Sequence, residues 1–475
     1  MGDLDNKVRK CFNEYAVDKS LAYDLDLTKL PRYVAEYLIF EFLSENGDWQ
    51  SKLRNFIEKY YREPEEKELV KHELVTKDFV QVIDELRVLV DVTTGTHVGV
   101  LQSLDLWTIV PVDIVEKNKN TLINGMWGLI MLTKLDGGQA VKIWDKEISV
   151  VVDDFKPFQS PRSDPDLIKE ARGCFSLDEW ISVLITTIGL NPNVYSPRQR
   201  LLLLSRLVPL VEGNVNMMEF GPRQTGKTYL YRNVSNYTRI ISGGTITPAA
   251  LFYNLRTRVP GELALKDVVV FDEVSKVRFP NPDEMMGKLK DYMESGQYER
   301  GDKTVSSDSS LVLMGNVEVQ RDKSAEESYV PVEDLTYVLP EPMRDSAFID
   351  RVHGLIPGWE LPKISQSKVH LAKGYGIASD YFSEVLHTMR KFSLASKVGE
   401  HVEFSSEFKI RDEKAVKRIM SGIIKLLFPD EQFDNSELKL VADLALEYRQ
   451  RIRDWLHLLS PGEFPEEGLS VKVRG

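Results

Sequence analysis

Gly221-Pro222-Arg223-Gln224-Thr225-Gly226-Lys227-Thr228 decides the reading of this 475-residue chain. It is a complete G-x-x-x-x-G-K-[ST] pattern. A strand-like run, residues 214–220, precedes it, and a helical stretch, residues 229–235, follows. In that setting the pattern forms a phosphate-binding loop, whereas a chance glycine-rich turn has no reason to carry both flanks. The glycines let backbone N–H groups turn inward on phosphates, and the helix N-terminus adds partial positive charge. Lys227 is expected to reach the β- and γ-phosphates of ATP, and the Thr228 hydroxyl to bind Mg²⁺.

Two further runs belong with this loop. Asp267-Val268-Val269-Val270-Phe271-Asp272-Glu273 reads as a buried strand ending in two carboxylates. Asp272 suits the Mg²⁺ side of the site, and Glu273 suits the group that polarises an attacking water. Leu311-Val312-Leu313-Met314-Gly315-Asn316 reads as another strand, ending in an amide. Asn316 there suits orienting the water or the γ-phosphate, where a plain turn Asn is the bland alternative. ATP hydrolysis is the chemistry these residues suggest. Two arginines follow in order. Arg351, in Phe348-Ile349-Asp350-Arg351-Val352-His353, suits an arginine finger offered to a neighbour's nucleotide. Arg411, opening a helix, suits a contact to the γ-phosphate from a lid. Each is also readable as half of a local salt bridge.

Working outward, the composition is that of a globular protein, with 42% hydrophobic and 28% charged residues. The net charge of −12 (61 Lys+Arg against 73 Asp+Glu) argues against indiscriminate coating of nucleic acid. It leaves a locally basic groove open. Two cysteines, Cys11 and Cys174, are too few for a disulfide framework and fit a reducing compartment. The N-terminus has no apolar signal core, and Ser205 and Arg206 break the most apolar stretch. The expectation is a cytoplasmic protein with no membrane partner.

Four regions are expected: residues 1–74 helical, 75–166 strand-rich with a linker, 167–374 an α/β core, and 375–475 helical with a tail. Within the first, residues 32–46 carry apolar residues at helical spacing behind Pro31. Lysines and arginines between Lys52 and Lys77 interleave with Glu63, Glu65, Glu66 and Glu68, which favours a solvated helical face. From Phe79 the β-branched runs, with a turn at Asp136-Gly137-Gly138, predict a small antiparallel barrel or sandwich. The acidic, proline-bearing residues 153–166 read as its exit linker. Strand and helix alternate across 214–320, as in a parallel sheet with crossover helices.

In this order, phosphate loop, Asp-Glu strand, strand-end Asn, finger and lid arginine resemble the AAA+ ATPases. Longer strings resemble, more specifically, the BrxL family, Lon-like AAA+ proteins of BREX bacteriophage-exclusion systems. They include Leu204-Ser205-Arg206-Leu207-Val208-Pro209-Leu210-Val211-Glu212, Ser242-Gly243-Gly244-Thr245 and Met293-Glu294-Ser295-Gly296-Gln297-Tyr298-Glu299-Arg300-Gly301. The resemblance runs from about residue 27 to 455. It implies an AAA+ P-loop core with a parallel sheet and a C-terminal helical lid. It also implies an N-terminal helical plus β-barrel-like domain, similar to the collar of MCM-type replicative helicases. By the same resemblance the chain forms a homo-oligomeric ring, single or stacked, with ATP and Mg²⁺ between subunits. Double-stranded DNA is the ligand and other BREX proteins are partners in anti-phage defence. Longer members are named for a C-terminal protease-like domain. Here about twenty residues follow the last helical run, below the ~50 of a small domain, so proteolysis is not expected.

Between the Asp-Glu and Asn strands, Gly301-Asp302 separates Gln297-Tyr298-Glu299-Arg300 from Lys303-Thr304-Val305, which predicts a β-hairpin. In a ring this hairpin suits the central channel. Arg300 and Lys303 would meet phosphates there, and Tyr298 would brace the hairpin or stack on a base. Two other readings stand beside a DNA motor: a nucleotide-gated DNA clamp with slow turnover, and a protein unfoldase gripping peptide through Tyr298.

Overall fold

The computed structural model describes residues 2–474, apart from 25–26, 28, 44–46, 123–124, 136–139, 159–164, 257–258, 322–328, 333 and 365–367. The chain divides into two units, Leu21–Arg162 and Met1–Ser20 with Ser163–Gly475.

In the first unit, helix α1 (Arg32–Leu43) starts directly after Pro31, whose fixed φ suits a helix entrance. Its buried residues Tyr33, Val34, Ala35, Leu38 and Ile39 share a core with Leu53 of α2 (Trp49–Tyr60). Asp48 caps α2, its carboxylate accepting from Ser51 N. In α3 (Lys67–Thr76) the basic run is spent locally. Lys71 pairs with Glu68 at 2.7 Å, and Lys77 pairs with Glu73 at 3.1 Å.

Among the strands that follow, five form one sheet: β1 (Phe79–Asp91), β2 (Thr96–Leu101), β3 (Leu106–Ile109), β4 (Met126–Lys134) and β5 (Val150–Pro157). They close into a barrel in the order β1-β2-β3-β5-β4, with β4 antiparallel to β1. Closure removes exposed strand edges, and the inward residues, among them Val82, Leu86, Val88, Leu101, Ile130 and Val152, fill the interior. One expectation needs correction: Asp153–Pro157 is strand, not linker. Two consecutive exposed acids, Asp153 and Asp154, break the in–out alternation and read as loop. A register shift opposite Met131/Leu132 absorbs the extra residue. The turn expected at Asp136-Gly137-Gly138 lies outside the described residues.

The second unit is built on a five-stranded sheet. In chain order its elements are β6 (Met217–Gly221), α4 (Lys227–Asn233), β7 (Thr238–Thr245), β8 (Val268–Arg278), α5 (Pro282–Ser295), the hairpin β9 (Gln297–Arg300) and β10 (Lys303–Ser306), β11 (Ser310–Asn316), and β12 (Gly354–Pro357). The sheet order is β7-β8-β11-β6-β12, with every pair parallel. The central strands are near-continuous apolar runs because helices cover both faces. Two long helices, α6 (Ile410–Leu427) and α7 (Asn435–Leu459), complete the unit.

The first twenty residues pack in this second unit. Phe12 stacks near Phe175 and Trp180, with ring centroids 6.4 and 6.3 Å away. The strand Ala16–Asp18 pairs antiparallel with Tyr375–Ile377. Cys11 is joined to Cys174 in a disulfide, against the expectation of two unpaired thiols. The helix carrying Cys11 docks beside Cys174, a proximity that a cysteine count does not show. Among the described residues, no helix is long and apolar enough to cross a membrane.

Candidate nucleotide site

The phosphate loop joins β6 to α4 at the sheet's C-terminal edge, where open parallel sheets bind ligands. Its geometry is locally determined. Gly226 takes φ +78°, a left-handed conformation that only glycine adopts freely. At Gly221 a Cβ would stand 2.5 Å from the Gly358 carbonyl, so glycine is needed there for close approach. Below the loop the buried Arg206 donates to both oxygens of the buried Glu219, at 2.9 and 2.6 Å. Its third guanidinium arm reaches the Thr225 carbonyl at 3.0 Å. This pair braces the loop from beneath, and motif reading missed it. Its one sequence signal is that Arg206 falls within a family-like string.

Around the loop lies a cavity of ≈500 Å³ lined by Arg223 through Tyr229, Arg232, Ser242, Asp272, Glu273 and Asn316. Lys227 Nζ donates to the Gly221 and Pro222 carbonyls at 3.0 and 2.8 Å. Burial pushes this ammonium down to about 8. A buried cation solvated only by carbonyls, at a helix N-terminus, fits an anionic ligand well. Thr228 Oγ1 donates to Asp272 Oδ2 at 2.7 Å. The hydroxyl and carboxylate are thus together at the position where Mg²⁺ would sit beside phosphates, a donor set suited to a hard cation. Ser242 is the partner of Asp272 in the β7–β8 register, its Oγ 3.4 Å from Oδ2, and was not singled out for the site from sequence.

Glu273 takes φ +48°, a sparsely populated conformation for a non-glycine residue. Its carboxylate pairs with Lys276 Nζ at 2.7 Å, and that hydrogen bond holds it below the usual carboxylate range. Asn316 ends β11 opposite Gly221, which sets its exposed side chain at the cavity. The structure therefore brings together Gly221–Thr228, Asp272, Glu273 and Asn316.

Two family models match the chain. Residues 150–470 match the model "Lon-like protease BrxL-like, ATPase domain", and residues 10–133 match "BREX system Lon protease-like protein BrxL N-terminal". The chain belongs to the BrxL family. It is 32% identical to the Lon-like protease BrxL of Escherichia coli O9:H4 (strain HS) over 97% of its length. To the Lon-like protease BrxL of Bacillus cereus (strain H3081.97) it is 31% identical over 99%. It spans 66% of the former protein and 69% of the latter.

Arg351 and Arg411 do not line the phosphate cavity of their own chain. They meet each other in a second cleft with Glu294, Asp350 and Arg449. Arg411 Nη1 donates to Asp350 Oδ2 at 2.7 Å, and its Nε and Nη2 lie 2.9 and 2.8 Å from Glu294 Oε2. Arg351 Nη1 donates to the Ala347 carbonyl at 2.6 Å. The predicted hairpin is present as β9–β10. Tyr298 is buried, and its hydroxyl donates to the Phe252 carbonyl at 2.7 Å. Of its two suggested roles, its position serves bracing and leaves no ring face for a base. Arg300 is turned back onto the Tyr253 carbonyl and Glu284, while Lys303 is exposed at the tip.

Proposed function

We propose that this BrxL-family chain is an ATP-hydrolysing subunit of a homo-oligomeric ring that holds duplex DNA and serves BREX-type defence. The observation carrying the reading is the convergence of Lys227, Thr228 with Asp272, Glu273 and Asn316 on one cavity. Lys227 leaves its two loop carbonyls for the β/γ-phosphates. Glu273 accepts a proton from the attacking water, and Asn316 orients it. Thr228 and Asp272 would hold Mg²⁺, which would supply positive charge to offset that of the phosphates. Among the described residues, the arginines lining this cavity are Arg223 and Arg232. The joint placement of Arg351 and Arg411 in a separate cleft supports both acting on a neighbouring subunit's nucleotide.

Lys303 at the exposed hairpin tip is the leading phosphate contact for DNA, with Arg300 joining only if it leaves Tyr253 and Glu284. The strand-rich unit is proposed as a second DNA-binding collar. Electron microscopy with a non-hydrolysable ATP analogue, with and without duplex DNA, tests the ring and its occupant. Monomers under all conditions would refute it. A slow DNA clamp is the second reading, favoured by Lys276 engaging the Glu273 carboxylate. DNA-stimulated turnover above the basal rate separates motor from clamp. The unfoldase reading loses its support because Tyr298 is buried.

A further inference from the structure

Glu294 occupies the last turn of α5, two residues before Gly296, whose φ of +72° ends the helix and opens the hairpin. Its carboxylate lies against two arginines at once: Arg411, as above, and Arg351 Nε at 3.4 Å. Lys414 Nζ donates to the Glu294 carbonyl at 2.8 Å, fixing the backbone as well. The Nε–Nη2 fork of the Arg411 guanidinium is thereby held by Glu294, and its Nη1 by Asp350. Asp350 is in turn held by the buried Arg449 at 2.8 Å, so it is the fixed partner of the two. The cleft among these groups is ≈20 Å³, room for a water but not for a phosphate. Carboxylate and phosphate compete for the same guanidinium fork. A phosphate therefore gains the two-pronged Nε–Nη2 face of Arg411 only when Glu294 withdraws.

The element that can move Glu294 is α5. Lys288 Nζ, on that helix, donates to the Glu299 carbonyl of β9 at 2.5 Å, and Glu284 faces Arg300 at 3.8 Å. The Tyr292 hydroxyl, two residues before Glu294, donates to the Ser309 carbonyl beyond β10 at 2.7 Å. Both sides of the hairpin are thus fastened to the helix whose end carries the carboxylate.

We propose that Glu294 is a positioning residue for the arginine pair. In the resting state it stands in for phosphate on Arg411 and Arg351, and displacement of the β9–β10 hairpin by DNA withdraws it through α5. The coupling has a two-state element, Glu294 on or off the arginines, which is what a link between distant sites requires. The proposal rests on the reading that both arginines act on a neighbour's nucleotide.

The test is steady-state ATPase of the full chain, with and without duplex DNA, for wild type, Glu294→Gln, Glu294→Gln/Arg411→Ala and Arg351→Ala. Gln is isosteric with Glu, and the Glu294 side chain is 41% exposed, so the fold is not at risk. Expected for Glu294→Gln is a DNA-free kcat raised several-fold, with KM and ATP-analogue affinity unchanged and the DNA stimulation ratio falling toward one. Adding Arg411→Ala should remove the gain. A DNA-free kcat at or below wild type in Glu294→Gln overturns the latch. If that occurs while Arg351→Ala is inactive, only the latch falls. If Arg351→Ala turns over like wild type, the trans reading itself falls. Should wild type show no response to DNA, the DNA reading fails, and the DNA-free kcat still decides the latch.

Discussion

The phosphate cavity and the arginine cleft both come from short sequence motifs, yet they differ in completeness. In the cavity, each motif residue points at a common space, and the loop's cation is left with only carbonyls for company. In the cleft, Arg411 is bonded to its own chain's carboxylates, Arg351 faces Glu294 at 3.4 Å and bonds the Ala347 carbonyl, and the space is small. One site is ready for a ligand as a single subunit. The other presents its donors only after an internal partner is exchanged. A motif thus predicts geometry where its partners are local, and only identity where its partner belongs to another surface.

The sharpest way to break this contrast is Arg351→Ala. Turnover should fall by about 10³–10⁵, the usual loss for an arginine finger, with ATP-analogue binding unchanged. Mixing Arg351→Ala with Lys227→Ala subunits should then restore part of the activity, since intact cavities meet intact arginines. No recovery would place Arg351 with its own chain's nucleotide. Next in size, Glu273→Gln should lower kcat by about 10²–10⁴ while the protein still binds ATP and DNA. Near-normal turnover would remove Glu273 as the base. Arg206→Met tests what holds the cavity open. Stranding Glu219 without its buried partner should destabilise the unit by about 3–5 kcal/mol, read by denaturant unfolding. A change under about 1 kcal/mol would mean the pair is not a brace.

The smallest effect is the pH response of the empty loop. Lys227 is depressed to about 8, so bound nucleotide, which needs the ammonium, must take up a proton above that pH. Analogue affinity should be flat below about pH 8 and fall by up to about tenfold per unit above it. Lys227→Arg should abolish the slope, because a guanidinium stays charged. A wild-type slope that begins below pH 7 would assign it to another group.

Legibility tracked the range of the interactions involved. The α1 start behind Pro31, the Gly301-Asp302 hairpin and the loop from Gly221 to Thr228 rest on φ preferences and neighbours a few residues away, and the structure has each of them. Residues 153–157 looked like linker because a bulge lets two adjacent acids face solvent within a strand. Tyr298 looked available to a ligand, and only packing shows it inserted beneath Phe252 and beside Tyr292. Ser242 carried no signal beyond a family-like string, since its place beside Asp272 comes from strand register.

By itself, the sequence determined an α/β chain with a phosphate loop, two strand-end acidic and amide positions, and a strand-rich region ahead of them. Backbone sterics, helix ends and hydrophobic period act over a few residues, and a linear reading reaches that far. Only the tertiary structure decided that Arg206 and Glu219 brace the loop, that Cys11 meets Cys174, and that Glu294 gathers Arg351 and Arg411. Those contacts join residues from 13 to 163 positions apart, brought together by burial of the shared core. Burial is a property of the whole folded chain, and no local pattern encodes which distant side chain it will deliver.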